Sequence, residues 1–251
     1  MGSNTIIIAC CFFIIALIYS SVGFGGGSSY LAILAQPMFL LLPEEIRPIA
    51  LGCNIIVVTS GSIIFYRENK IVWKEVWPFL IFSVPMAYIG GLWRLEHHTF
   101  FIILGVTLMI ASLFLWIQPE TLTQNQKRTD SLSLNIILGG GIGFLSGIVS
   151  IGGGIFLSPV LHLLRWSEPK KISALASLFI LVNSISGLIG HFVRGLPPLN
   201  LIFVGTLIIA VFVGGQIGSR LGAKRFNPIY IKRITAILIL VAGFFILREH
   251  L

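Results

Sequence analysis

The chain has 251 residues, of which 56% are hydrophobic and only 10% are charged, and its mean hydropathy is +0.97. Soluble globular domains carry about 25% charged residues, so the composition excludes that class and predicts an integral membrane protein. The net charge of +8 does not indicate nucleic-acid binding, because the basic residues are scattered through short loops between apolar segments.

Ten apolar runs follow one another along the chain, and each is predicted to form a helix, the element that pairs its own backbone groups in lipid. The runs cover 5–20, 28–42, 49–66, 77–93, 99–117, 136–149, 155–164, 172–192, 200–218 and 229–247. Six of them are long enough to cross a hydrocarbon core of ~30 Å. The other four form two pairs, 5–20 with 28–42 and 136–149 with 155–164. The run 155–164, for example, reaches only ~15 Å, which is about half of the hydrocarbon core. The helices of these two pairs are therefore predicted to be half-helices or short, tilted spans.

A glycine triplet joins the two members of each pair, and the triplets occupy matching places in the two halves of the chain. They are Gly25-Gly26-Gly27 and Gly152-Gly153-Gly154, so the offset between the halves is 152 − 25 = 127. The same offset aligns Phe65 with Phe192 and Arg67 with Arg194. An extended hydrophilic stretch lies between the halves. The sequence therefore predicts two membrane repeats, 1–117 and 136–251, joined by a cytoplasmic linker at 118–135.

The distribution of lysine and arginine indicates how the helices cross the membrane. If each glycine-joined pair is a hairpin that returns to its starting side, four of the 17 basic residues lie on one side and the other thirteen on the opposite side. The four are Arg47, Arg94, Arg194 and Arg248. Without returning hairpins, the same residues divide ten against seven. Since basic loops mark the cytoplasmic side, we expect two inverted repeats, each a hairpin followed by three transmembrane helices, with both termini outside.

The second helix of each hairpin begins just after three glycines, so its first backbone N–H groups lack helical partners. Helix N-termini and glycine-rich turns attract anions. The candidate anion-binding residues are Gly25, Gly26, Gly27, Ser28, Ser29, Gly152, Gly153 and Gly154. The alternative is that these glycines only permit close helix crossing, as those at 139–147 and 214–218 are predicted to do. Recurrence at the repeat offset favours the site, because paired helix breaks are typical of transport sites.

Polar side chains in the helices that follow are further candidate ligands of a substrate. They are Asn54 and Thr59 in the first half, and Ser177 and Asn183 in the second. The amides are the stronger candidates because they cost more to bury, whereas a single hydroxyl often only joins two helices. No lysine or arginine lies in the middle of a predicted span, so we expect backbone dipoles rather than a buried cation to hold the anion.

Four more residues are candidates for coupling or gating. His162 and His191 are the histidines within apolar runs, and histidine is the side chain that titrates near neutral pH; ordinary packing is the alternative role. Arg67 and Arg194 occupy the same repeat position on opposite sides of the membrane. They are placed either to attract anions to the two entrances or to anchor helices at the interface.

Sequence signatures of enzymes and proton pumps are missing. All nine acidic residues lie between or at the edges of the apolar runs, so no buried carboxylate is expected to carry protons. No nucleotide-binding or zinc-protease motif occurs, and the three cysteines have no metal-type spacing. We therefore expect no enzyme activity, no metal and no cofactor. Besides a transporter, the open alternatives are an anion channel, or a membrane-embedded enzyme or accessory subunit that uses His162 or His191.

Three segments of the chain resemble the TauE/SafE family, also called the sulfite exporter or toluene-sulfonate uptake permease family. They run from Ser21 to Leu31, from Ser146 to Pro159 and from Ala174 to His191. The doubled glycine triplet is the main shared feature, and the resemblance covers nearly the whole chain. It implies a multi-pass secondary carrier of the inner membrane for small sulfur-containing anions such as sulfite, sulfoacetate or other sulfonates. Candidate coupling ions are H⁺ and Na⁺.

Overall fold

The structure is a computed structural model that describes residues 2–21, 23–36, 39, 41–117, 131–225 and 228–250, except for the side chains of 2–4, 221–225 and 228–232. Within this part of the chain there are ten α-helices and no strand. They are α1 (Gly2–Ser20), α2 (Gly27–Leu34), α3 (Pro43–Arg67), α4 (Trp73–Leu92), α5 (His97–Ile117), α6 (Leu132–Val149), α7 (Gly154–Leu163), α8 (Pro169–Arg194), α9 (Leu201–Arg225) and α10 (Pro228–His250). Among the described residues, α3, α4, α5, α6, α8 and α9 up to Arg220 are long and apolar enough to cross a membrane. The predicted all-α integral membrane protein is confirmed.

Some helix boundaries differ from the apolar runs. α2 ends at Leu34 rather than at 42, and its 8 residues reach only ~12 Å. α6 begins at Leu132, inside the predicted linker, and its 18 residues make it a candidate span, whereas the prediction placed it among the four shorter helices. α1 has 19 residues and reaches ~28 Å, so it is longer than a half-helix. The remainder of the predicted linker, 118–130, lies outside the described residues.

Glycines bring helices of the two halves into close contact. Gly147 of α6 lies against the backbone of Ala87 in α4 with no room for a Cβ atom, and the glycines one and two turns earlier in α6 repeat this contact. Gly218 of α9 lies in the same way against Leu17 of α1. Small residues let helix backbones approach closely in lipid, where van der Waals packing drives association. The predicted role of these glycines in close helix crossing is confirmed.

The largest interfaces all join the first five helices to the last five. α1 packs on α9, α6 on α4, α5 on α10, and α8 on both α4 and α3. If each helix of one half is exchanged for its counterpart in the other (α1 for α6, and so on to α5 for α10), the interface between α1 and α9 becomes that between α6 and α4. The interfaces of α5 with α10 and of α3 with α8 map onto themselves, and that of α4 with α8 becomes that of α9 with α3, which is also present. This correspondence supports a repeat of five helices.

The equivalent helices α3 and α8 pack side by side and run antiparallel. Asn54, near the middle of α3, bonds with Ser184 in the second half of α8. Ser62, two turns further along α3, bonds with Ser177, two turns earlier in α8. Antiparallel packing of equivalent helices is what inverted repeats require, and the inversion itself stays a prediction.

The outer surface of the helix bundle is apolar. Large hydrophobic side chains are exposed along α1, α5, α9 and α10, with Leu201 and Ile202 among the most exposed. A soluble monomer rarely presents apolar patches of this extent, whereas a membrane protein directs them to lipid. The buried core lies between α1, α2, α3 and α5, where the rings of Phe12 and Tyr30 stack with their centroids 4.5 Å apart.

Candidate functional site

Both glycine triplets interrupt the chain as predicted, and the two interruptions share left-handed residues at two equivalent pairs of positions, although Gly152 is left-handed and its equivalent Gly25 is not. Gly26 precedes α2 with φ +82°, and Gly153 precedes α7 with φ +83°, a left-handed conformation that glycine adopts without steric cost. Three residues earlier, Gly23 and Ser150 are also left-handed. We call residues 23–26 the first break and 150–153 the second break. At these two pairs of positions, residues that are 127 apart in the sequence therefore share the same backbone conformation.

The helix after each break starts with amides that have no acceptor within their own helix. In α2 the Tyr30 amide donates to the Gly26 carbonyl, so the amides of residues 27–29 come before this first bond. In α7 the Phe156 and Leu157 amides both donate to the Gly153 carbonyl. Such free N–H groups, with the positive end of the helix dipole, favour a negative charge.

Asn54 of α3 connects the two halves at the breaks. Its side chain is fully buried, and its Nδ2 donates hydrogen bonds to the Ile151 carbonyl (3.1 Å) and to Ser184 Oγ (3.0 Å). Its Oδ1 has no hydrogen-bond partner among the described residues. A buried acceptor without a partner costs about 1–3 kcal/mol, so this oxygen can accept one further hydrogen bond.

Glycines of both breaks surround Asn54. A Cβ atom on Gly25 would overlap Asn54 Oδ1, and one on Gly27 would meet the Ile151 carbonyl and the Asn54 amide. From the other half, a Cβ on Gly152 would lie 2.5 Å from Asn54 Nδ2. The two breaks therefore meet at one side chain, and these glycines allow the close approach.

A small cavity of about 30 Å³ opens beside the first break. It is lined by Tyr19, Phe24, Gly25, Gly26, Gly27, Ser28, Asn54, Leu115, Ile151, Ile155, Ile180 and Thr235. A cavity of this size holds about two water-sized groups. In this structure, the cavity therefore has no room for an anion much larger than two water-sized groups.

Five of the predicted substrate-binding residues line this cavity: Gly25, Gly26, Gly27, Ser28 and Asn54. Ser29 lies directly behind it, where its Oγ is 2.6 Å from the Tyr19 hydroxyl. Gly152 reaches the site through Asn54.

The remaining predicted ligands do not line the cavity. Gly153 packs on Phe179, and Gly154 packs on Ile180. Thr59 donates to Ile55 of its own helix. Ser177 bonds with Ser62 across the interface between α3 and α8, and Asn183 is buried with no hydrogen-bond partner among the described residues. Their roles in binding stay predictions.

The four candidate coupling residues occupy different places. His191 is buried at the second break, with its Nε2 3.2 Å from Ser150 Oγ. His162 is buried in α7, with its Nδ1 2.8 Å from the Ser158 carbonyl of its own helix. Arg67 is exposed at the end of α3. Arg194 ends α8, near the start of α3, and donates to the Trp93 carbonyl (3.2 Å).

Arg47 is a residue that the sequence prediction misplaced. It was expected in a loop, but α3 starts at Pro43, and Arg47 is buried inside the helix with 2% of its surface exposed. The expectation that Arg47 lies in a loop is therefore wrong, although Arg47 is not among the described residues that line the cavity. Pro43 and two glutamates are a helix-start signal that could have revealed this: Glu45 accepts a hydrogen bond from the Leu42 amide at 2.9 Å.

Comparison with known proteins identifies the family. The chain is 32% identical over 248 residues to "Probable membrane transporter protein y4hK" of Sinorhizobium fredii, covering 97% of this chain and 98% of the relative. It is 23% identical over 250 residues to "Probable membrane transporter protein YunE" of Bacillus subtilis, covering 88% of this chain and 90% of the relative. A third probable membrane transporter protein, from Methanocaldococcus jannaschii, is 25% identical over 249 residues and covers 94% of this chain and 92% of its own.

No solved structure matches the chain. The family model described as "Sulfite exporter TauE/SafE" matches residues 8–246, which includes both breaks and all the residues that surround Asn54. The apolar exposed surface and the candidate spans agree with this match. The chain therefore belongs to the TauE/SafE family and is a multi-pass membrane transporter rather than an enzyme.

Proposed function

We propose that the protein is a secondary transporter of small sulfur-containing anions, with sulfite, sulfoacetate and related organosulfonates as the substrate class. The description of the matching family as a sulfite exporter supports this class. Among the described residues, no lysine or arginine lines the cavity, and this is compatible with an anion because helix-end amides supply positive potential there.

The observation that carries the proposal is the meeting of the two breaks at Asn54. Backbone amides at the start of α2 and the hydroxyls of Tyr19, Ser28 and Thr235 are the donors around the cavity. Asn54 Oδ1 is an acceptor beside them. Donors together with one acceptor suit an oxyanion that carries a proton, and sulfite itself titrates near neutral pH. Protonation of the substrate is therefore one way in which transport is coupled to H⁺ without a carboxylate on the protein.

Alternating access around this site is the proposed mechanism. The cavity is too small for the anion without movement of its lining, and the equivalent helices α3 and α8 of the two halves pack antiparallel against each other beside the site. Rocking of one repeat against the other would then open the site to either side. From the distribution of basic residues, we propose that the protein lies in the inner membrane with both termini outside.

Flux of radiolabelled sulfite and sulfoacetate into proteoliposomes tests the proposal. We expect saturable uptake by the wild type and its loss in Gly25→Ala, because the new Cβ would overlap Asn54 Oδ1. Gly52→Ala is the matched control, since a Cβ there meets nothing within 4 Å. Absence of saturable uptake of either anion by folded wild-type protein would contradict the substrate class. Equal uptake by Gly25→Ala and Gly52→Ala would contradict the site.

The same proteoliposomes separate a transporter from an anion channel and identify the coupling ion. A carrier coupled to H⁺ or Na⁺ accumulates the anion when only that ion gradient is imposed. A channel instead shows flux that follows the membrane voltage and never exceeds electrochemical equilibrium. Accumulation driven by one of the two gradients is the expected result.

A further inference from the structure

Arg47 is a buried cation whose hydrogen-bond partners among the described residues are all neutral oxygens. Its Nε donates to Ser150 Oγ at 3.1 Å, and its two terminal nitrogens donate to the carbonyls of Trp93 (3.3 Å), Gly90 (3.4 Å) and Gly147 (3.4 Å). Its guanidinium carbon also lies 5.5 Å from the centre of the Phe100 ring. Burial of a charge is costly unless strong partners compensate it, and three of these hydrogen bonds are long.

The position of Arg47 ties the second break to α3 at a second point. Arg47 and Asn54 are seven residues apart, about two helical turns, so they lie on the same face of α3. Their partners in the second half are neighbours in the chain: Arg47 binds Ser150, and Asn54 binds the Ile151 carbonyl. His191 of α8 contacts Ser150 as well. One face of α3 therefore holds the start of the second break through two polar side chains.

The first break has no equivalent attachment. At the offset of 127, Arg47 corresponds to Ala174 and Asn54 corresponds to Leu181. Neither alanine nor leucine has a side chain that can donate a hydrogen bond. Both repeats contain a helix break, but the side chains that bind the break differ. At these equivalent positions, a charged side chain is present in α3, where it binds the second break, and is absent from α8.

We propose that Arg47 is an anion-sensing latch, which keeps the second break closed against α3 until an oxyanion replaces its carbonyl partners. The ligand class is a small oxyanion, so the inference rests on the proposed function and adds a second binding position to it. Arginine binds oxyanions through two parallel, charge-assisted hydrogen bonds, which are about twice as strong as bonds between neutral groups. An anion therefore competes well with three long carbonyl bonds.

Two further arginines lie at the same end of the helix bundle. Arg194 donates to the Trp93 carbonyl that Arg47 also uses, and Arg94 donates to the Arg194 carbonyl at 3.5 Å. Both are more exposed than Arg47. Basic groups around an opening raise the local concentration of anions. An anion attracted by these arginines would meet Arg47 before it reaches Asn54, two turns deeper along α3.

Concentration-dependent uptake of sulfite and sulfoacetate tests the latch. We expect Arg47→Gln to raise the half-saturating concentration roughly tenfold or more, because one charge-assisted interaction is lost. Arg47→Lys should lie between Arg47→Gln and the wild type, since it keeps the charge but loses the forked geometry. Lys74→Gln, which removes an exposed positive charge at the opposite end of α4 from Gly90, is the control and should stay close to the wild type. An Arg47→Gln variant with the half-saturating concentration of Lys74→Gln would overturn the inference.

Cysteine labelling supplies a readout that needs no change at Arg47. Leu51 is buried between Arg47 and Asn54 on the same face of α3, so Leu51→Cys reports whether the second break separates from α3. Cys10, Cys11 and Cys53 are first replaced by alanine. We expect a maleimide to label Leu51→Cys slowly, and sulfoacetate to accelerate the labelling. In the Arg47→Gln background, labelling should be fast and independent of sulfoacetate.

The labelling result also separates this inference from the proposed function. Labelling of Leu51→Cys that is insensitive to sulfoacetate and to sulfate, in protein that retains saturable uptake, would overturn the latch and leave the transport proposal standing. Acceleration by sulfate in protein that transports neither sulfite nor sulfoacetate would support the latch and overturn the proposed substrate class.

Discussion

The Asn54 side chain donates a hydrogen bond to Ser184, 130 residues later in the chain, over a distance of 3.0 Å. It makes a second bond to the Ile151 carbonyl, so one amide group joins both repeats at the second break. We expect Asn54→Leu to abolish sulfite uptake and to destabilise the protein by about 1–3 kcal/mol, because buried polar groups lose their partner. Uptake in proteoliposomes and thermal unfolding in detergent measure the two effects.

Thr59→Val is the control for Asn54→Leu. Thr59 lies on the same helix, but its hydroxyl bonds only with Ile55 one turn earlier and does not line the cavity. We expect uptake near the wild-type rate. Equal losses of uptake in the two variants would mean that α3 tolerates no change, and the assignment of Asn54 to the site would fail.

The left-handed conformation of Gly153 predicts a measurable cost of a side chain at this position. Gly153→Ala places a Cβ in a conformation that disfavours it by roughly 1–2 kcal/mol, and 2.8 Å from the Phe179 ring. We expect a lower unfolding temperature. Gly141→Ala, where a Cβ meets nothing within 4 Å, should be neutral or slightly stabilising because alanine favours helix. An unfolding temperature of Gly153→Ala as high as that of Gly141→Ala would contradict the geometry of the second break.

Ser177 forms a hydrogen bond with another helix, so we expect removal of its hydroxyl to affect stability rather than uptake. Its Oγ lies 3.0 Å from Ser62 Oγ, away from the cavity. Hydrogen bonds between membrane helices contribute about 0.6 kcal/mol on average, so Ser177→Ala should unfold at a slightly lower temperature and retain uptake. A large rise in the half-saturating sulfite concentration would instead support Ser177 as a ligand, as its sequence position predicts.

Tyr19 is expected to contribute to binding from the wall of the cavity. Its hydroxyl lies 2.6 Å from Ser29 Oγ, beside the start of α2. Tyr19→Phe removes one hydroxyl and leaves the ring in place, so we expect a several-fold weaker half-saturation, in line with a hydrogen bond of about 1 kcal/mol. Tyr66→Phe, at an exposed tyrosine, should have no effect. A wild-type uptake curve for Tyr19→Phe would exclude its hydroxyl from the site.

Local features of the fold were predictable from the sequence. Both helix breaks occur at the glycine triplets, and α3 and α8 end at Arg67 and Arg194, the pair that the repeat offset aligns. These features depend on glycines that permit left-handed backbone conformations and on continuous apolar runs. Both can be recognised directly in the sequence. The family could be recognised from the same segments.

The partners within the site were not predictable in the same way. Asn54 was a candidate because an amide in an apolar run is costly, but nothing in the sequence pairs it with Ile151 and Ser184. Arg47 was assigned to a loop because apolar content alone marks the start of a run at 49, whereas the helix begins at Pro43. Contacts between halves depend on how the helices pack, and a charged residue buried by such packing resembles an interfacial residue in the sequence.

The packing of α1 on α9 and of α6 on α4 has a consequence for biogenesis. Each half supplies its first helix to the other, so α1 finds its main partner only after most of the chain that follows it has been synthesised. Until then, the glycine-bearing face of α9 that packs on α1 does not exist, and α1 is solvated by lipid or held by the insertion machinery. Assembly of this transporter is therefore a late event, which depends on completion of the second half.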